Sequence, residues 1–123
     1  MELAYFFDTY AFIEIVKENK NYLSYVSDVK VITTRLNLME LHYILLRNLS
    51  KNEADFYYSL LLPFAVDISD DVIKKANELK LFYKKRKLSY IDCIGYVLAK
   101  MHGVKFLTGD KEFRDLDNVE FVK

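Results

Sequence analysis

The chain has no tryptophan, no glutamine, one proline, one cysteine and three glycines in 123 residues. Each scarcity excludes something. A lone Cys93 rules out an internal disulfide framework and fits a reducing cytoplasm. Gly95, Gly103 and Gly109 stand apart, so no glycine-rich loop exists to cradle the phosphates of a nucleotide. With only Pro63, and no Pro/Gly-rich linker, repeat or low-complexity tract, residues 1–123 read as a single domain. No apolar run approaches the ~18 residues that span a bilayer, so no membrane role is expected. The start carries Glu2 and Asp8 without a basic leader or cleavage-site pattern, so no signal peptide is expected. Charge of one sign is also missing. Eighteen basic residues balance eighteen acidic ones, so a polyanion would have to be held by a local patch or through metal ions.

What is present is apolar material, 52% of the chain, ample for a core. Short β-rich runs alternate with helical patterns. Strands are expected at Leu3–Phe7, Val29–Thr33, Phe64–Ile68 and Lys105–Thr108, with an edge strand at Val119–Val122. Helices are expected at Tyr10–Glu18, Asn21–Ser27, Leu36–Leu49, Asn52–Leu61, Ser69 to about Lys85 and Ser89–His102, the last stopped by Gly103. Strands separated by helices, with continuously apolar inner strands, predict an α/β fold: three α/β/α layers around a parallel sheet of about five strands. Ligands of such sheets sit outside the carboxyl ends of the strands.

That is where acids gather. Asp8 ends the first strand and Asp110 follows the fourth at Thr108-Gly109; Glu40 and Asp92 are read in the first turns of helices. Each has an ordinary explanation. Asp8 is a good N-cap, Ser89-x-x-Asp92 and Asn37-x-x-Glu40 fit capping boxes, and Asp110 suits a turn. Their joint placement argues for more. At ~5 Å and an effective dielectric near 20, each carboxylate pair repels by roughly 3 kcal/mol. A helix N-terminus offsets only ~0.3–1 kcal/mol. Repulsion wins, so the cluster is expected to bind cations, and all-oxygen ligands favour Mg²⁺ or Mn²⁺ over zinc.

Other chemistry is poorly supported. His42 lies inside a helix as a structural or interface residue, His102 complements a helix C-terminus, and Cys93 shares an apolar helix as inert core. Lys84-Lys85-Arg86-Lys87 is the only basic run; it reads as a solvated helix end or as a phosphate-contacting patch, with Arg35 a second candidate contact. Phe56-Tyr57-Tyr58 and Leu60-Leu61-Leu62 read as core or as a partner surface.

Four fragments, FFDTYAFI around Asp8, RLNLMEL around Glu40, LSYIDCIGYVLA around Asp92 and FLTGDKEF around Asp110, resemble the PIN-domain ribonucleases, especially the VapC-type toxins of toxin–antitoxin pairs. The likeness covers essentially the whole chain. It implies that Asp8, Glu40, Asp92 and Asp110 form an acidic metal-binding quartet, with Thr9 and Thr108 as supporting hydroxyls and Glu112 as a peripheral acid. It further implies a five-stranded parallel sheet, frequent homodimers, an RNA substrate and a small antitoxin covering the site. The expected activity is a Mg²⁺- or Mn²⁺-dependent endoribonuclease, either a toxin or a housekeeping RNA-processing enzyme. Two other readings are a binding module that has lost catalysis and a phosphoacceptor receiver domain. The latter wants an acidic pair after the first strand and an acceptor Asp ending a central strand, where this chain offers only Asp67 and Asp70.

Overall fold

The computed structural model describes residues 3–123; Met1 and Glu2, the latter one of the acids noted at the start, lie outside the described residues. Four strands, β1 (Leu3–Phe7), β2 (Val29–Ile32), β3 (Lys105–Thr108) and β4 (Val119–Phe121), pair in the order β2-β1-β3-β4, all parallel. Five α-helices accompany them: α1 (Thr9–Val16), α2 (Arg35–Asn48), α3 (Lys51–Leu61), α4 (Asp70–Phe82) and α5 (Tyr90–Met101). None is long and apolar enough to cross a membrane. The segment Asn21–Ser27, expected as a helix, is a 3-10 turn over Lys20–Tyr25.

Neighbouring strand residues point to opposite faces of a sheet, and the inner strands use that to feed two cores. Phe6 and Phe106 enter one core, with α4 and α5 supplying Val72, Ala76, Cys93, Tyr96 and Leu98. Phe7 and Leu107 enter the other, against Ala11, Phe12, Leu38, Leu41, Leu45 and Ala54 of α1, α2 and α3. The expected three layers are thus present, and both inner strands are apolar because neither has a solvent face. Gly95 sets how closely α5 approaches: a Cβ there would stand 2.7 Å from the Phe6 ring.

Two expectations are corrected. Phe64–Ile68 is not a strand. Pro63 places Leu62–Phe64 in a 3-10 turn, and only Ala65 bridges the sheet, opposite Thr33. Among the described residues the sheet therefore has four strands rather than five. Helix α4 stops at Phe82, with Tyr83 leaving helical geometry at ψ 36°, so Lys84–Lys87 lie in a turn beyond it.

The strand order fixes the site. From β1 the chain moves to β2 on one side, then returns to lay β3 on the other. The reversal opens a crevice at the carboxyl ends of β1 and β3, the usual ligand position in open α/β sheets.

Candidate active site at the carboxyl edge

Among the described residues, every buried polar side chain lies at this edge: Asp8, Thr9, Thr33, Thr34, Asn37 and Thr108. They are knitted together. Asp8 follows β1 and caps α1, its Oδ1 accepting from the Ala11 amide at 2.8 Å. The Thr33 hydroxyl donates to the Phe7 carbonyl at 3.1 Å. Thr34 caps α2, and its hydroxyl donates to Asn37 Oδ1 at 2.6 Å, while Asn37 Nδ2 donates to Thr9 Oγ1 at 3.2 Å. Across the crevice, the Thr108 hydroxyl accepts from the Asp110 amide at 3.0 Å, and Asp110 Oδ1 accepts from Glu112 N at 3.0 Å. Gly109 is small by necessity, because a Cβ there would collide with the Tyr10 ring and the Val122 carbonyl.

Asp92 sits at the third position of α5 in a complete capping box. Ser89 N donates to its Oδ2 and Ser89 Oγ accepts from its amide, each at 3.0 Å. Capping and membership of the edge coexist. The Asn37–Glu40 box does not form, because Thr34 is the cap of α2 and Asn37 occupies the third position. Glu40 therefore lies in the second turn, not the first. Thr34 and Asn37 were missed from sequence; the signal available was Thr34-x-x-Asn37 after an apolar strand.

Burial pushes the Asp8 carboxyl up to about 8; the Thr108 hydroxyl and Ala11 amide oppose this, and the charges of Asp92 and Asp110 add to it. Burial also raises Asp92, against the pull of Ser89, with Asp110 and Glu40 adding to the rise. The four acids therefore act on one another. None of them makes an ion pair with a lysine, arginine or histidine among the described residues. They do not close to the few ångströms expected from sequence: no three Asp, Glu, His or Cys side chains among the described residues already form a cation cage. One oxygen each of Asp8 and Asp92 is taken by a capping bond, from Ala11 N and Ser89 N.

The remaining candidates divide. Thr9 and Thr108 belong to the edge. Glu112 is engaged by the turn after α4, its Oε1 accepting from Lys87 N at 3.4 Å. Arg86 is committed: it forms a two-pronged pair with Asp115 at 2.7 and 2.9 Å and donates to the Glu112 carbonyl at 2.9 Å. Lys84, Lys85, Lys87 and Arg35 are exposed. His42 is a structural residue, 2.8 Å from Asp55 and edge-on to Tyr58. Burial lifts the Cys93 thiol to about 11, so it is inert core.

The sequence matches the PIN domain family over residues 5–119. The chain belongs to that family. Among solved structures, this PIN domain is similar to Mycobacterium tuberculosis VapC20, described as a sarcin–ricin loop cleaving toxin, at 19% identity and a TM-score of 0.78, with 97% of this chain and 99% of that one covered. It is also similar to a toxin–antitoxin complex from Klebsiella pneumoniae (19%, 0.74, 94% of each). VapBC-1 from nontypeable Haemophilus influenzae is a third neighbour (16%, 0.73, 97% and 96%). No curated protein matches significantly in sequence. With the PIN fold in place and no strand at 64–68, Asp67 has no strand end to occupy, and the receiver reading lapses.

Proposed function

We propose that this PIN domain is a divalent-metal-dependent endoribonuclease, the toxin of a toxin–antitoxin pair, and that Asp8, Glu40, Asp92 and Asp110 are its working residues. The observation that carries the reading is that Asp92 and Asp110 bear on buried Asp8, and Asp110 and Glu40 on Asp92, at the carboxyl edge where the strand order reverses, with none of the four in an ion pair among the described residues. The likeness to VapC20 and to toxin–antitoxin complexes supports the substrate class and an antitoxin partner.

The donor set fits a hard cation: carboxylates and threonine hydroxyls, without a histidine or thiolate, which suits Mg²⁺ or Mn²⁺. When bound, the ion would supply a Lewis acid for the phosphodiester and a water of lowered pKa. The chain's own part is orientation. The Ala11 amide fixes Asp8, the Ser89 box fixes Asp92, and the Thr108–Asp110 turn presents the third acid across the crevice. Thr9, Asn37 and Thr34 lock α1 to α2, which carries Glu40. No side-chain nucleophile is required.

Purified protein should cleave RNA with Mn²⁺ and not with EDTA, and Asp92→Asn should abolish the cleavage. RNA left intact by the wild type in Mn²⁺, or cut equally by Asp92→Asn, would sink the assignment.

A further inference from the structure

Helix α4, the turn after it and the first residue of α5 line a pocket of about 310 Å³, formed by Asn77, Lys80, Leu81, Lys84, Arg86 and Tyr90. It contains three cations, one aromatic ring and no carboxylate. Because α4 ends at Phe82, Lys84, Lys85 and Lys87 are too late in the chain to be last-turn partners of its dipole. All three are exposed, and none forms an ion pair among the described residues.

The turn is held at the acidic edge. Arg86 bonds to the Glu112 carbonyl at 2.9 Å and Lys87 N reaches Glu112 Oε1 at 3.4 Å, on the same short segment whose start is Asp110. Tyr90 opens α5, two residues before Asp92, and is 63% exposed. Lys80 is fixed over that ring at 4.9 Å, its Nζ donating to the Leu88 carbonyl at 2.6 Å. An exposed aromatic ring beside an unpaired lysine, here Tyr90 and Lys84, is how proteins hold an unpaired nucleotide: the base stacks and the phosphate meets the charge.

We propose that Lys84 and Tyr90 form a subsite for one unstacked nucleotide of single-stranded RNA, adjoining the phosphodiester presented to the acids. Lys80 and Asn77 complete its wall, and Arg86 is a positioning residue that pins the turn rather than a contact. This rests on the nuclease reading for the role of the pocket, but the pocket can be tested without cleavage.

The test is binding of a short fluorescent single-stranded RNA, and of the same sequence as a duplex, in EDTA. Tyr90→Ala should weaken single-strand binding about 5–100-fold while Tyr90→Phe keeps it. Lys84→Ala should weaken it and lower the salt dependence by roughly 0.7 in slope, with Lys84→Arg restoring both. Lys30→Ala, on the opposite edge strand β2, should bind as wild type. Both pocket side chains are exposed, and unchanged melting would show that the variants fold. Wild-type binding by Tyr90→Ala, or equal losses for duplex and single strand, would overturn the subsite even if the wild type cuts RNA. Conversely, RNA bound through Tyr90 and Lys84 but never cut in Mn²⁺ would uphold the subsite and defeat the nuclease reading.

Discussion

Five aspartates of this chain fall into two groups with opposite behaviour. Around the periphery, Asp55 is lowered by hydrogen bonds from His42 and Lys51, and Asp117 by the Tyr96 hydroxyl and Lys100. The Arg86 guanidinium holds Asp115 down to about 2. At the carboxyl edge of the sheet, burial and neighbouring acids raise Asp8 and Asp92, and no cation answers them. The side chain is the same in every case; the surroundings decide the sign. Peripheral acids ease the folded state, whereas the edge acids oppose it until something positive arrives. A fold that buries Asp8 and Asp92 without a cationic partner, and keeps its ion-paired aspartates near the surface, holds the buried ones for a partner from solution.

The widest separation between the groups should appear in catalysis. Asp92→Asn is expected to lower RNA cleavage by about 10³-fold or more, as loss of a group acting on the reacting phosphate does. Asp117→Asn, its peripheral counterpart, should stay within a few-fold of wild type. Equal losses would erase the distinction. Stability should separate them next. Asp8's folded pKa of about 8 lies above its usual value of 3.8. Its contribution to stability is therefore fully present below about pH 4 and is lost as pH rises through about 8. Metal-free protein should lose stability across that window, with a slope of at most about 1.4 kcal/mol per pH unit. Asp8→Asn, which keeps an oxygen for the Ala11 amide, should flatten the slope and gain about 2–3 kcal/mol near pH 8. Denaturant melts at several pH values measure this, and an Asn variant with the wild-type slope would refute the cause assigned.

Much of this was legible because it is local. Asp8 after an apolar strand, Ser89-x-x-Asp92 before an apolar helix, and Thr108-Gly109-Asp110 after another strand each place an acid at an element's end. The parallel order then follows from alternation. What escaped depends on long-range or competing local choices. Whether Phe64–Ile68 pairs as a strand turns on Pro63, which lacks a donor and starts a 3-10 turn, leaving a single bridge to Thr33. Thr34 outcompetes Asn37 as the cap of α2, which moves Glu40 one turn inward. The partner of Arg86 is 29 residues away, so a basic run that reads as uniform in sequence divides into one structural arginine and three free lysines.

Metal should narrow the difference between the two groups. A cation selective for the folded edge stabilises by RT ln(1 + [L]/Kd), about 2 kcal/mol at 30-fold excess over Kd. For a domain of this size that is roughly 5–10 °C in Tm. Mn²⁺ should give this shift in the wild type, shrink it in Asp8→Asn and Asp92→Asn, and leave it intact in Asp117→Asn. A millimolar titration without effect on Tm would break the comparison from the other side.

The smallest expected effect tests the peripheral group itself. Asp115's pKa is depressed, so its contribution is present above pH 3.8 and is lost only as pH falls through about 2. Asp115→Asn should therefore lower Tm by no more than ~2–4 °C, by the same amount at every pH between 5 and 8, because an exposed pair is weak. The slope that Asp8 imposes over that range should be untouched. The variant also frees Arg86, and with it the turn fixed to the Asp110 segment, so RNA binding in EDTA should loosen somewhat while the Mn²⁺ shift in Tm persists. If Asp115→Asn instead changed the pH slope between 5 and 8, the two groups of aspartates would be coupled, and the edge could no longer be treated as electrostatically separate from the rest of the fold.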